Sequence, residues 1–272
     1  MGFEDHELIF LGTGGGRVLC ATQHRQTGGI MYKFNGKQTH IDPGPGAIVY
    51  LNRMKIDRLK TEWIIATHNH TDHINDIPII IESVHETLTK PAGILISTEE
   101  YIHTLHSYYR DLLVDIIPMQ AGKTVKLTNH TSILGTKIVH GNTQGFGLIF
   151  QQIDAKDPSK TYQIGFTSDT EIYDGFGEIY KDIDILIANV LRPSNKTCPR
   201  HACVEEFIPA LEIAQPKTCI ITHYGALFDP PWSDGNIISQ QMTHIQESIG
   251  KNTKVIGAQD NLRLKIPELL GS

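Results

Sequence analysis

The chain has 272 residues, 40% of them hydrophobic and 20% charged, with a formal net charge of −6 and a sequence pI near 6.1. That balance suits a folded globular chain and argues against a broad polyanion-binding surface, while the lack of any apolar run of about 18 residues excludes a helical membrane span. The four cysteines, Cys20, Cys198, Cys203 and Cys219, form no Cys-x-x-Cys pair and read as reduced thiols. With an acidic start that lacks a basic-then-apolar leader, they point to a cytoplasmic protein. Fourteen histidines are the compositional oddity.

In chain order, residues 7–11 read as a first strand ended by Gly12-Thr13-Gly14-Gly15-Gly16. This glycine run is a tight turn and not a dinucleotide fingerprint, because Arg17 stands where a third spaced glycine belongs. Strands at 28–34 and 37–42 are joined by an Asn35-Gly36 hairpin turn, and Pro43-Gly44-Pro45-Gly46 leads into a helix carrying Ala47, Leu51 and Met54 on one face. The apolar run 63–67 is a buried strand. After it, Ile77, Ile81, Val84 and Leu88 recur at helical spacing, followed by a strand at 92–97. Residues 98–118 begin as an aromatic, polar helix that reads as surface, with a lid over a site as the other reading.

From residue 124 the pattern turns to strands at 125–127, 132–139, 147–153 and 162–166, then 184–188. A loop at 189–200 holds Arg192, Lys196 and Arg200. His201 precedes a helix through Val204, Phe207 and Leu211 that Pro209 should kink. A buried strand at 219–222 runs into His223. Ile238, Met242, Ile245 and Ile249 make a last amphipathic helix capped by Gly250, and strands at 255–258 and 262–266 close the chain. With no linker, repeat or composition break, residues 1–272 read as one domain of two sheets covered by helices.

The densest chemistry is His68-Asn69-His70-Thr71-Asp72-His73, just past the 63–67 strand. Three imidazoles and a carboxylate within six residues exceed what a core would hold, and read as a metal site. Side chains alternate along extended chain, so His68 and His70 point the same way and can share one cation. The chain then turns, and Asp72 and His73 can face a second. His140 and His223 each follow a strand and sit where loop residues reach ligands. Read alone, Asp42 is explained as well by a turn before proline as by a role at the site, and Asp169 is an acid delivered by an apolar strand to a polar turn, with helix capping as its alternative.

The His-x-His-x-Asp-His string, the Leu-Gly-Thr-Gly-Gly-Gly opening, Asp169 and the later histidines resemble the metallo-β-lactamase superfamily, nearest its ribonuclease Z and cyclic phosphodiesterase branches. That resemblance implies an α/β fold, a four-layer αββα sandwich of two mixed β-sheets flanked by helices. It implies His68, His70 and His140 on one metal, Asp72, His73 and His223 on the other, Asp169 bridging, and Asp42 supporting the loop from behind. Nitrogen and oxygen donors without thiolate suit two Zn²⁺, with Mn²⁺ or Fe²⁺ able to fill the same cage. Asn69 stands where a flavodiiron protein carries a Glu ligand, which favours hydrolysis over redox chemistry.

Two cations about 3.5–4 Å apart acidify a bridging water, so the expected reaction is hydrolysis with Asp72 and His201 as catalytic residues. His201 would protonate a leaving alkoxide or contact phosphate; a helix-capping role explains it nearly as well. Asp169 stands where β-lactamases commonly carry Cys or Ser, which favours the phosphodiesterase, lactonase and thioesterase branches. Residues 186–193, His201 and Thr222-His223 look most like the cyclic phosphodiesterase branch, so the leading expectation is a phosphodiesterase acting on a cyclic phosphate, nucleotide or RNA end. Asn189 stands where ribonuclease Z has an assisting Glu, a departure that weighs against tRNA maturation. A β-lactam or lactone hydrolase on the same centre is the second reading, and a non-catalytic metal-containing nucleic-acid-binding or assembly module the third. The expected partner is a small-molecule or nucleotide/RNA phosphodiester, with no membrane; a homodimer is compatible with the resemblance.

Overall fold

The computed structural model describes residues 2–87 and 89–271. Its first sheet contains β1 (Glu7–Phe10), β2 (Ile30–Phe34), β3 (Lys37–Ile41), β4 (Thr61–Ala66), β5 (Ile94–Ser97) and β6 (Asp115–Pro118). The second contains β7 (Thr124–Lys126), β8 (Thr131–Thr136), β9 (Gly147–Ile153), β10 (Thr161–Phe166), β11 (Ile185–Asn189), β12 (Thr218–Thr222) and β13 (Lys254–Gly257). β14 (Arg263–Lys265) returns to the first, giving orders β14-β1-β2-β3-β4-β5-β6 and β13-β12-β11-β10-β9-β8-β7. Each sheet is mixed: β14 through β3 and β7 through β10 pair antiparallel, whereas β3 through β6 and β10 through β13 pair parallel. The two halves thus share a topology that the sequence does not betray as a repeat.

The apolar runs are strands buried on both faces. In β4, Trp63 and Ile65 enter the core between the sheets with Phe10, Phe34, Phe150 and Ile164, while Ile64 and Ala66 face the outer helices. β11 does the same, sending Ile185 and Ile187 inward and Leu186 and Ala188 outward. Outside the first sheet lie α1 (Gly16–Thr22), α2 (Ala47–Arg53), α3 (Thr71–Ile74), α4 (Ile77–Ser83), α5 (Glu99–Thr104) and α6 (Ser107–Asp111). With the second sheet go α7 (Phe176–Ile179), α8 (Val204–Ala214) and α9 (Ile238–Ile249), and α10 (Ile266–Leu270) ends the chain. The four-layer sandwich implied by the resemblance is therefore what forms.

Several local expectations change. The 98–118 stretch is two short helices and the edge strand β6, broken where Leu105 turns extended and drops into the helical-layer core beside Tyr101 and Leu113. Those three residues anchor the stretch to the helical layer. The strand placed at 132–139 leaves the sheet at Thr136, because beyond its Gly147 pairing Val139 instead bonds to Thr170 and Glu171. α8 runs through Pro209. α4 ends at Ser83, and Leu88 lies outside the described residues. The helix α10 follows the one taken as last.

Candidate metal centre

Strand ends deliver the site. β4 stops at Ala66, His68 bridges to Gly145, the chain bends at Asn69, and His70 is extended (φ −104°, ψ 147°) before α3 turns it. His68 and His70 therefore lie on one side, and α3 carries Asp72 and His73 to a neighbouring position. From the second half, His140 arrives on the loop after β8, Asp169 on the loop after β10, and His223 directly after β12. Four non-glycine residues with left-handed backbone border the site: Asp42 (φ 50°), Ser168 (57°), His223 (60°) and Arg200 (73°). Such strain is held only where surroundings over-determine it.

Two nests of donors result. In one, His68 Nε2 and His140 Nε2 each lie 3.1 Å from His70 Nδ1. Nitrogens around a tetrahedral zinc, each about 2.0–2.1 Å from it, stand roughly 3.3 Å apart, so this triangle has the spacing of a metal shell. Burial and then the charge of neighbouring His73 hold the His68 pKa well below its ordinary value, leaving a neutral ring with a lone pair to give.

In the other nest, His73 Nε2 lies 3.4 Å from Asp169 Oδ2 and 3.7 Å from Asp72 Oδ2. His223 Nε2 lies 3.1 Å from Asp169 Oδ1 and 3.7 Å from Asp72 Oδ2. Both nitrogens are buried and angled so that neither makes a hydrogen bond. Buried ring nitrogens facing carboxylates without a bond are what a cation between them resolves. Electrostatics agree. Burial opposes charge at Asp169, yet His223 and His73 hold its carboxyl well below the usual range; burial likewise opposes charge at His73, yet Asp169, Asp72 and Asp42 push its pKa well up. This nest demands positive charge. Asp169 also lies between the nests, 4.0 Å from His68 Nε2.

Groups behind the donors fix their orientation. His73 Nδ1 donates to Asp42 Oδ2 at 2.9 Å, and His140 Nδ1 donates to the Arg200 carbonyl at 2.6 Å, so each ring turns Nε2 to its nest. The Gly16 amide donates to Asp72 Oδ2 at 2.8 Å, and Asn189 Nδ2 donates to Asp169 Oδ1 at 2.8 Å. His201 stands alongside, with Nδ1 3.5 Å from Asp169 Oδ2 and its ring centroid 4.7 Å from that of His140. Burial lowers its pKa to about 4 against the pull of Asp169.

All seven expected ligands and His201 come together in overlapping groups of donors. Among the described residues Arg192 and Lys196 make no hydrogen bond or ion pair with these donors; Arg192 Nη2 instead lies 3.9 Å from Cys198 Sγ. The Arg200 side chain packs over Gly141, beside His140. Sequence reasoning missed what stands behind the donors: Thr67, Ser168, the Arg200 carbonyl, the Asn189 amide and the closeness of Gly15 to His223. A hydroxyl directly before His68 was the one legible signal; the others depend on tertiary approach.

Comparison with known proteins follows the same lines. The model of the β-lactamase superfamily domain matches residues 38–224. An uncharacterized protein of Methanocaldococcus jannaschii, MJ1374, is 33% identical over 243 residues, covering 86% of this chain and 88% of that protein. Ribonuclease Z of Thermococcus gammatolerans is 26% identical over 207 residues, 73% of this chain and 63% of the enzyme, so the match leaves over a third of that enzyme uncovered. Among solved structures, the metallo-β-lactamase fold protein YhfI of Bacillus subtilis superposes with a TM-score of 0.76 at 15% identity, covering 95% of this chain and 98% of that one.

Proposed function

The chain belongs to the metallo-β-lactamase superfamily, and from that premise we propose that it is a dinuclear metal-dependent hydrolase whose reaction is phosphodiester hydrolysis. The observation that carries this is the convergence of His68, His70 and His140 beside Asp72, His73, Asp169 and His223. These residues would hold two divalent cations, zinc by preference, which would supply Lewis acidity and a water acidified toward neutral pH.

The chain's own residues do the rest. Asp169, steadied by Asn189, spans both nests and holds negative charge between them. Asp72, held by the Gly16 amide, places Oδ2 3.7 Å from both His73 Nε2 and His223 Nε2 and favours a cation on that side. His201 Nε2 has no hydrogen-bond partner among the described residues and is the atom that would hand a proton to a leaving oxygen. An anionic phosphate beside the ring raises its pKa from about 4, so the proton arrives with the substrate. The acid at 169 weighs against β-lactam chemistry, where Cys or Ser is common, and the similarity to ribonuclease Z favours a cyclic phosphate, nucleotide or RNA phosphodiester as substrate. Residues 1–272 would act as one cytoplasmic domain; among the described residues no helix is long and apolar enough to cross a membrane.

Parallel assays of metal-loaded protein with bis-p-nitrophenyl phosphate and a chromogenic cephalosporin test the reading. Turnover of the phosphodiester, abolished by chelator, is expected. Cleavage of the cephalosporin alone would move the assignment to carbonyl chemistry.

A further inference from the structure

The Thr67 side chain is fully buried and meets three partners at one oxygen. Its hydroxyl lies 2.8 Å from Asp42 Oδ2, 2.8 Å from Ser168 Oγ and 3.2 Å from His68 Nδ1. A hydroxyl has one proton and two lone pairs, so the roles follow. Asp42 as a carboxylate only accepts; it already takes the Thr67 amide on Oδ1 at 2.7 Å and His73 Nδ1 on Oδ2 at 2.9 Å. Thr67 therefore gives its proton to Asp42, and its lone pairs receive Ser168 O–H and His68 Nδ1–H. Among the described residues Thr67 is the sole partner of His68 Nδ1.

The consequence joins the two nests. His68 belongs to one and His73 to the other, and the Nδ1–H of each ends on the same Thr67–Asp42 pair. Ser168, from the opposite half of the fold and adjacent to Asp169, closes the group, and holds a left-handed backbone (φ 57°) while fully buried. We infer that Thr67 is a positioning residue for both cation sites at once, its hydroxyl fixing His68 and His73 with Nε2 toward their nests. The inference rests on the dinuclear reading above.

Valine matches threonine in shape but lacks the hydroxyl. Thr67→Val would leave His68 Nδ1–H and Ser168 O–H unpaired and remove one donor from Asp42. Loss of such an outer partner typically weakens metal affinity about 10–100-fold. Zn²⁺ titration by calorimetry, with Co²⁺ spectra as a second readout, should show both sites weakened in Thr67→Val and restored in Thr67→Ser. Ser168→Ala, which cuts only the outermost link, should change affinity by less than Thr67→Val does. Wild-type affinity at both sites in Thr67→Val, or weakening confined to one site, would overturn the inference. A wild-type chain that binds no Zn²⁺ would instead overturn the dinuclear reading, and this inference with it. Long-range ¹⁵N histidine spectra of the zinc-loaded wild-type protein need no variant: His68 protonated at Nδ1 is expected, and His68 lacking that proton contradicts the assignment.

Discussion

Gly15 lies against the imidazole of His223: a Cβ built on this glycine would fall 2.1 Å from His223 Cδ2 and 2.3 Å from Nε2. The contact is backbone to ring, and the strand of glycines is locked there from both sides. The Gly15 amide donates to the Tyr224 carbonyl at 2.9 Å, and the Tyr224 amide donates to the Thr13 carbonyl at 2.8 Å. Gly15 is extended (φ −139°), so what requires glycine is close approach and not left-handed backbone.

Gly15→Ala should therefore push the His223 ring out of its nest. Overpacking of this kind typically costs about 1–3 kcal/mol, or roughly 5- to 150-fold in affinity if it falls on one ligand. Calorimetric Zn²⁺ titration should show one site weakened and the His68, His70 and His140 site spared.

Asp169 is the charge shared between the nests, and Asp169→Asn keeps its shape while removing that charge. The variant should retain at most one cation per chain and lose turnover by several orders of magnitude. Mass-spectrometric metal analysis beside circular dichroism separates this from unfolding.

His201→Ala tests proton delivery. General acid catalysis contributes typically about 10²–10⁴-fold, so kcat on a phosphodiester with a poor alkoxide leaving group should fall within that range while metal content is unchanged. A leaving group that needs no protonation should rescue much of the loss. Full turnover in the variant removes the role.

His40 gives a pH dependence apart from the donors. It is fully buried; Nε2 donates to the Gly28 carbonyl at 2.8 Å and Nδ1 has no partner, so a second proton would be stranded. Burial lowers its pKa to about 4, against the opposing pull of the Gly28 hydrogen bond and then of Asp76 and Asp42. The unfolded chain, with a pKa near 6.5, takes up that proton first. Stability is thus complete above pH of about 6.5 and falls as pH drops toward 4, by about 3 kcal/mol. The difference in melting temperature between wild type and His40→Gln, followed from pH 7 to 4.5, should narrow as pH falls.

The metal motif was legible because its donors are local: an extended run and a single turn place His68, His70, Asp72 and His73 without help from the rest of the chain. The doubly buried strands were legible from their apolar runs, as at Trp63–Ala66 and Ile185–Ala188. His140, Asp169 and His223 have no local reason to meet and were assembled only by family resemblance. The supporting groups were the least visible. The Arg200 carbonyl, the Asn189 amide and the Ser168 hydroxyl act through contacts across loops 20 or more residues apart, set by how the two sheets pack. The edge strand β6 escaped notice because Asp115–Pro118 is half-exposed and too short to show alternation.

The central claim is that two cations sit side by side in this chain. Metal analysis of protein purified without chelator, repeated after dialysis against Zn²⁺ and gel filtration, addresses it most directly. Two tightly held ions per chain are predicted, falling when His70 or Asp169 is replaced. No retained metal in the folded protein, or metal retained unchanged in those variants, would contradict the account.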